Sequence, residues 1–358
     1  MLSFDRDIPI HPEIHGNEPF TKIGAGICGA VFARQGKSYA IKLSKTKSHK
    51  VLWNDYLMHV KIAHCFKLWE FDEVSIPACH YFAPPNESQF FAQHPGLAEA
   101  AEQVCHLPTS ALVTERILPL PARVRALIID NYCAEHIKEE ARADAASKDC
   151  LVRVYLGSTK GKSCQQFFSL RNFKMHLNHM TELQLDIRTL AQRMGMAMAL
   201  IHWAAETDGR GVEFVLGNSS KTVSRAIDPG KLCRSVKPLS YTGPHSRQTE
   251  DFFGQVAATK LWVLDFDQVQ PITMDRDGVA QAVDAVRLND PFIPKPMQAT
   301  ADERKTWDAF AMSYLETADV ILEVEGKDVL DLPRLFIEGL VEAESQRQLA
   351  RAIVGAMT

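Results

Sequence analysis

The segment KIGAGICGAVFARQGKSYAIKL (22–43) sets Gly24, Gly26 and Gly29 ahead of Val31 and of Lys42, which lies in an AIK string. Glycine lets a backbone approach a ligand closely, and the N–H groups of such a hairpin can donate to phosphate oxygens. A lysine just downstream adds a cation. Far along the chain, WVLDFDQV (262–269) ends an apolar run in two carboxylates, Asp265 and Asp267. Hard cations such as Mg²⁺ take oxygen ligands of this kind. Between them, TDGRGVEFVL (207–216) carries Asp208 and, five residues on, Glu213 at the start of another apolar run. Either these parts form one site for phosphate and metal, or they are a glycine-rich turn, a DG turn and solvated strand ends. The elements that carry them must decide.

Residues 20–43 alternate as strands around a QGK turn, the pattern of a hairpin. Apolar side chains in 51–69 recur at helical spacing. A strand is expected at 73–82, a loop at 84–89, an alanine-rich stretch of open assignment at 90–104, and a buried strand with a proline-punctuated connector at 110–121. The pattern predicts a helix over 122–146 and a strand at 150–157. The longest helix is expected at 180–206, with Thr181 as its N-cap and apolar positions around most of its circumference, as in a central buried helix. Strands at 211–217 and 260–272 follow, separated by a long polar insertion at 217–251. The remainder reads as helical, interrupted by an extended link, NDPFIPKP (289–296).

Composition narrows the classes. A chain of 358 residues is long for one core and suggests two lobes. The formal net charge of -4 and the lack of a basic, aromatic-interleaved stripe argue against a nucleic-acid partner. The densest basic run, KLSKTKSHK (42–50), reads as a solvated turn. No secretory leader pattern opens the sequence and no apolar run is long enough for a membrane span, so a cytoplasmic protein with reduced thiols is expected. The eight cysteines contain no CxxC pair. In the couples His64-Cys65, Cys79-His80 and Cys105-His106, neighbouring side chains of an extended chain point to opposite faces, a poor arrangement for one zinc ion.

In order, the chain offers GxGxxGxV, AIK, a helix with an acid, an apolar strand into a connector, a long helix ending Ile201-His202, an aspartate before an apolar strand, and LDFD. Over roughly residues 20–270 this resembles the protein-kinase-like fold, including its aminoglycoside-phosphotransferase branch. The strings LVTERILPLP, VEFVLG, LWVLDFDQV and NDPFIPKP are similar to those of an uncharacterised fungal kinase-like domain family, found alone or joined to zinc fingers. The resemblance implies an α+β, bilobal protein-kinase-like fold: a small antiparallel-sheet N-lobe (1–115) and a larger, mainly helical C-lobe (116–358). It also implies an ATP- and Mg²⁺-dependent phosphotransferase acting on a small-molecule hydroxyl, in a setting of fungal specialised metabolism.

Carried over residue by residue, the resemblance assigns phosphates to Gly24, Gly26 and Gly29, an adenine face to Val31, and the phosphate cation to Lys42. Asp55 would hold Lys42, with Glu70 or Asp72 as substitutes; it is shorter than the glutamate of kinases. The backbone at Glu115 and Ile117 would bond the adenine edge, with Thr114 behind it. Asp208 resembles the catalytic base, Glu213 the metal-binding asparagine, and Asp265 the metal aspartate, with Asp267 where kinases have glycine. The His-Arg that flanks the base in kinases is missing, and no APE follows LDFD, so a small acceptor fits better than a peptide. His202 on the central helix reads as a buried, satisfied histidine. Two other functions fit the same residues: a pseudokinase-type interaction module, and a kinase-like cleft whose acids Asp208, Glu213, Asp265 and Asp267 serve chemistry without ATP. The oligomeric state is left open.

Overall fold

A computed structural model describes residues 18–357 apart from 47, 49, 164–167, 220–258 and 328. The insertion expected at 217–251 therefore lies almost wholly outside the described residues. The fold is mixed α/β, with an antiparallel sheet and many helices.

Strands β1 (Thr21–Ala25), β2 (Gly29–Ala33), β3 (Tyr39–Ser44), β4 (Cys79–Ala83) and β5 (Ala111–Glu115) form one antiparallel sheet in the order β1-β2-β3-β5-β4. Strand side chains alternate between faces. Ala30, Phe32, Ile41 and Leu43 therefore share one face, which is buried with Leu97 and Ala101 in a compact core. Val31 and Lys42 are partners across β2 and β3 and take the opposite face.

Helix α1 (Lys50–Leu68) crosses that opposite side and sends Ile62 and Phe66 into a second, larger core. The stretch 73–82 contains a strand only in its last part; near its start, Ser75 makes a single bridge to Trp262. Short helices α2 (Ser88–Gln93) and α3 (Leu97–Ala101) occupy the alanine-rich region, and α2 begins inside the segment expected as loop.

The larger core is built on helices around a four-stranded sheet of β6 (Val152–Tyr155), β7 (Phe173–His176), β8 (Glu213–Asn218) and β9 (Thr259–Leu264), in the order β7-β6-β8-β9. The β6–β7 pair is parallel.

Two helices expected from periodicity are broken. Residues 122–146 divide into α4 (Ala122–Tyr132), α5 (Lys138–Ala143) and short turns, because the chain goes extended at Cys133 and Ala134. Residues 180–206 divide into α6 (Leu177–Glu182), α7 (Ile187–Ala199) and a π turn at Leu200–Ala204. Thr181 lies inside α6, where its hydroxyl donates to the Leu177 carbonyl; the N-cap is Asp186, which accepts from the Thr189 N–H. Gln184, at φ +53°, turns the chain between the two helices, a conformation helical periodicity does not report. Helices α8 (Arg276–Leu288), α9 (Ala301–Val324) and α10 (Leu332–Met357) complete the chain, and α7 buries Met194 and Met198 in the same core as Phe310 and Tyr314 of α9. Among the described residues no helix is long and apolar enough to cross a membrane.

Candidate functional site

The carboxylates that meet Lys42 come from two segments about 210 residues apart in sequence. Its ammonium lies 2.6 Å from Asp55 Oδ2, 2.7 Å from Asp265 Oδ1 and 3.2 Å from Asp267 Oδ2. Lys42 is placed by β3 and Asp55 by α1, so neither Glu70 nor Asp72 is needed to hold it.

Asp265 and Asp267 stand on the turn that follows β9. That turn is fixed to α1 at three points. Asn54 donates to the Asp267 and Val269 carbonyls at 3.1 and 2.9 Å, Asp55 Oδ1 accepts from the Phe266 N–H at 3.2 Å, and the His59 ring packs on Phe266. Phe266 is fully buried and acts as the plug of the turn. Asp265 sits at φ +68°, a left-handed conformation that costs a non-glycine residue energy and persists only where the surroundings enforce it.

The charges are mismatched. Burial alone would lower the Lys42 pKa, but Asp55, Asp265 and Asp267 hold it well above its ordinary value. Burial raises the Asp55 carboxyl, opposed by Lys42, and burial with the Asp265 charge raises Asp267. One ammonium faces three carboxylates, so the cluster carries an excess of negative charge that favours a further cation. Among the described residues, Asp55, Asp265 and Asp267 are the one group of three acid, histidine or cysteine side chains whose ligand atoms lie within 4.8 Å of one another. Its donors are all carboxylate oxygens. That set fits Mg²⁺ or a similar hard ion and lacks the nitrogen and sulfur typical of a structural zinc site. None of the three His-Cys couples belongs to it.

The hairpin glycines differ in what the fold asks of them. A Cβ on Gly29 would come within 3.0 Å of Lys42 Cε and 3.2 Å of the Leu43 carbonyl, so Gly29 clears the path of the lysine side chain. A Cβ on Gly26 would touch nothing within 4 Å. The tip is closed by the Gly26 N–H on the Gly29 carbonyl (2.9 Å) and by Lys45 Nζ on the Gly26 carbonyl (2.9 Å). Packing of the fold gives no reason for glycine at 26. The Gly26 N–H itself is engaged, so it is not a free phosphate donor in this hairpin.

Asp208 is not part of the cluster. Its carboxylate is almost fully buried. Oδ1 accepts from the N–H groups of Arg210 (3.0 Å) and Gln270 (2.9 Å), and Oδ2 accepts from Gln281 Nε2 (2.9 Å). The Asp208 N–H in turn donates to the Gln270 carbonyl. Asp208 thus clamps the 207–211 loop onto the segment beyond Asp267. Gly209 and Gly211, at φ +61° and +82°, make the sharp turns of that loop. Asn289 braces it by accepting from the Gly211 N–H and donating to the Gly209 carbonyl.

Glu213 likewise stands outside the cluster. It pairs with Leu264 across β8 and β9, next to Asp265, but its Oε1 is bonded to Arg153 at 2.9 Å. Burial pushes its carboxyl up to about 7; Arg153 opposes the shift, and Asp265 adds to it.

At the connector, the Glu115 N–H donates to the Ala78 carbonyl, so that donor is engaged, and Ile117 packs with Val215 and Trp262 in a small core of its own. Thr114 is half-buried between Ala40 and Cys79 in the sheet. His202 is buried with Nδ1 2.8 Å from Tyr314 Oη, and burial lowers its pKa to about 3.

Asn54, His59, Arg153 and Gln281 were not legible as site residues from the sequence. The one local signal was that Asp55 and His59 stand four residues apart on α1 and so share a face, with Asn54 next to Asp55.

Comparison with known proteins adds one partial match. A family model described as a zinc finger protein matches residues 261–326, under a fifth of the chain. That segment spans β9, the Asp265–Asp267 turn, α8 and α9, and it contains no cysteine or histidine to ligate zinc. No curated protein and no solved structure matches the chain.

Proposed function

We propose that the chain is a bilobal, kinase-like protein that binds ATP with Mg²⁺ beside Lys42 and transfers the γ-phosphoryl group to a hydroxyl of a small molecule. The observation that carries this reading is the Lys42 ammonium set among Asp55, Asp265 and Asp267. A lysine on a central strand, an acid on the following helix and paired acids after a distant strand are the parts needed to hold triphosphate and metal.

In this reading the smaller lobe spans 1–115 and the larger 116–358. Lys42, still held by Asp55, turns to phosphate oxygens, and Asp265 and Asp267 become metal ligands. Bound Mg²⁺ supplies the charge that neutralises the phosphates. Val31, beside Lys42 on the same sheet face, packs on the base. The acceptor oxygen forms a bond to the γ-phosphorus as the bond to the bridging oxygen breaks, and ADP leaves with that electron pair. The hydroxyl proton goes to Asp208 Oδ2, the oxygen held by Gln281 alone.

A second reading, nucleotide binding without transfer, is favoured by one observation: all of the hydrogen bonds that Asp208 accepts serve the loop and its neighbours. Movement of the label from γ-labelled ATP onto members of a panel of small alcohols, with ADP formed in equal amount, separates the two. Turnover that Asp265→Asn and Asp208→Asn both abolish supports transfer. Saturable ATP binding with no turnover on any acceptor supports the second reading.

A further inference from the structure

A cavity of about 470 Å³ opens on the far side of the 207–211 loop, between that loop, the C-terminal end of α8, the 289–296 link and α10. It is separate from the Lys42 cluster, none of whose residues lines it. Three of its four cationic side chains are matched by acids. Asp290 holds both Lys295 (2.5 Å) and Arg347 (2.8 Å), Glu344 holds Arg347 (2.9 Å), and Asp284 pairs with Arg287 (3.1 Å). The fourth, Arg210, is exposed, and among the described residues its guanidinium has no ion-pair partner. Arg347 Nε, in the same wall, is buried without a hydrogen-bond partner. The rest of the lining is largely apolar: Val286, Ile293 and Leu340 are buried, and Leu288 stands 62% exposed at the mouth.

We propose that this cavity binds a small organic monocarboxylate, its anionic end on Arg210 and its hydrocarbon part against Leu288, Ile293 and Leu340. The lining carries one positive charge in excess, which matches a single negative charge. A guanidinium offers paired N–H donors in the geometry of a carboxylate. The apolar wall excludes a bare inorganic anion as the best occupant, because it would be left without a partner. Arg210 reaches the cavity from a loop held rigidly by Asp208 and Asn289, so the guanidinium is carried on a fixed base. The site is independent of nucleotide binding.

The test is calorimetric titration of the full chain, without nucleotide, with phenylacetate, hexanoate and 3-phenylpropionate, and with phenylacetamide and phenyl phosphate as controls. Saturable binding of at least one carboxylate is expected. Arg210→Ala should weaken it by about tenfold or more, the loss of one charge-assisted contact. Phenylacetamide should bind comparably weakly to both proteins, and Leu288→Ser should weaken the carboxylate less than Arg210→Ala does. Both variants change exposed side chains, so an unaltered melting temperature is expected and verifies folding. The proposal is overturned by absence of saturable binding for all three carboxylates, by equal affinity in Arg210→Ala, by phenylacetamide binding as tightly as phenylacetate, or by phenyl phosphate binding more tightly than any carboxylate.

Discussion

Lys42 and Asp265, 223 residues apart in sequence, lie 2.7 Å apart in the fold. The contact joins the centre of the antiparallel sheet to the turn after β9, and Asp55 and Asp267 complete it. Three carboxylates around one ammonium make a cluster in which the lysine occupies ground that a divalent cation could share. If so, removing the lysine should make the acids a better metal site. Lys42→Ala is expected to lose about 3–5 kcal/mol of stability in EDTA, the cost of stranding buried charge. Added Mg²⁺ should restore more of that loss than it adds to the wild-type protein. Chemical denaturation with and without Mg²⁺ measures this, and equal Mg²⁺ effects on the two proteins would count against metal binding by these acids.

The hairpin glycines give a paired test. A Cβ at position 26 meets no atom within 4 Å, so Gly26→Val should leave the melting temperature close to that of the wild type. A branched side chain at the tip should nonetheless weaken ATP binding, by about tenfold on the scale of one lost contact. Gly29→Ala crowds Lys42 Cε and the Leu43 carbonyl and should lower stability itself, by about 1–3 kcal/mol. Unchanged ATP affinity in Gly26→Val would show that the hairpin does not approach the nucleotide.

Asp208 is predicted to matter for stability whatever its part in transfer. Asp208→Ala would leave the N–H groups of Arg210 and Gln270 without their acceptor, at about 1–3 kcal/mol for each that stays buried. Gln281→Leu removes the donor to Oδ2 and its exposed bond to the Pro271 carbonyl, and leaves the backbone donors to Oδ1 in place. It should cost little stability and free the oxygen assigned to the acceptor proton, so turnover should persist or rise. Turnover abolished by Gln281→Leu, with ATP binding intact, would mean that Gln281 and not Asp208 Oδ2 serves the acceptor.

The pH dependence has a definite sign. His59 and His202, lowered by burial to about 4 and about 3, are neutral in the folded protein where the unfolded chain begins to bind protons. Their contribution is present above pH 6.5 and is lost as pH falls towards those values. Glu213 acts in the opposite sense. Its folded pKa of about 7 lies above the ordinary 4.5, so its contribution is present below pH 4.5 and is lost as pH rises through 7. Glu213→Gln should therefore gain stability relative to the wild type between pH 5 and pH 8, by about 3 kcal/mol at most. Denaturation at both pH values without Mg²⁺ checks the difference; a pH-independent difference would show that Glu213 is not held protonated by its burial.

Much of the framework was legible in the residues. The alternation of VFA and SYAIKL gave the hairpin, and its register sets Val31 beside Lys42. Asp55 could be named as the partner of Lys42 because it follows on the next helix. What periodicity missed were interruptions set by single backbone conformations: Gln184 at φ +53° between α6 and α7, and the extended Cys133 after α4. Spacing also pointed to Asp208 and Glu213, but not to the residues that hold them. Sequence distance cannot reveal that Gln270 and Gln281 return to Asp208, or that Arg153 reaches Glu213 across the sheet. Those contacts depend on tertiary neighbours 60 or more residues away.

The central claim is that ATP with Mg²⁺ binds beside Lys42, and titration of ATP into the wild-type protein, Lys42→Ala and Asp265→Ala, each with Mg²⁺ and with EDTA, tests it most directly. The account predicts saturable binding by the wild type that needs Mg²⁺ and that both variants lose. No binding at millimolar ATP, or binding that survives in both variants, would contradict it.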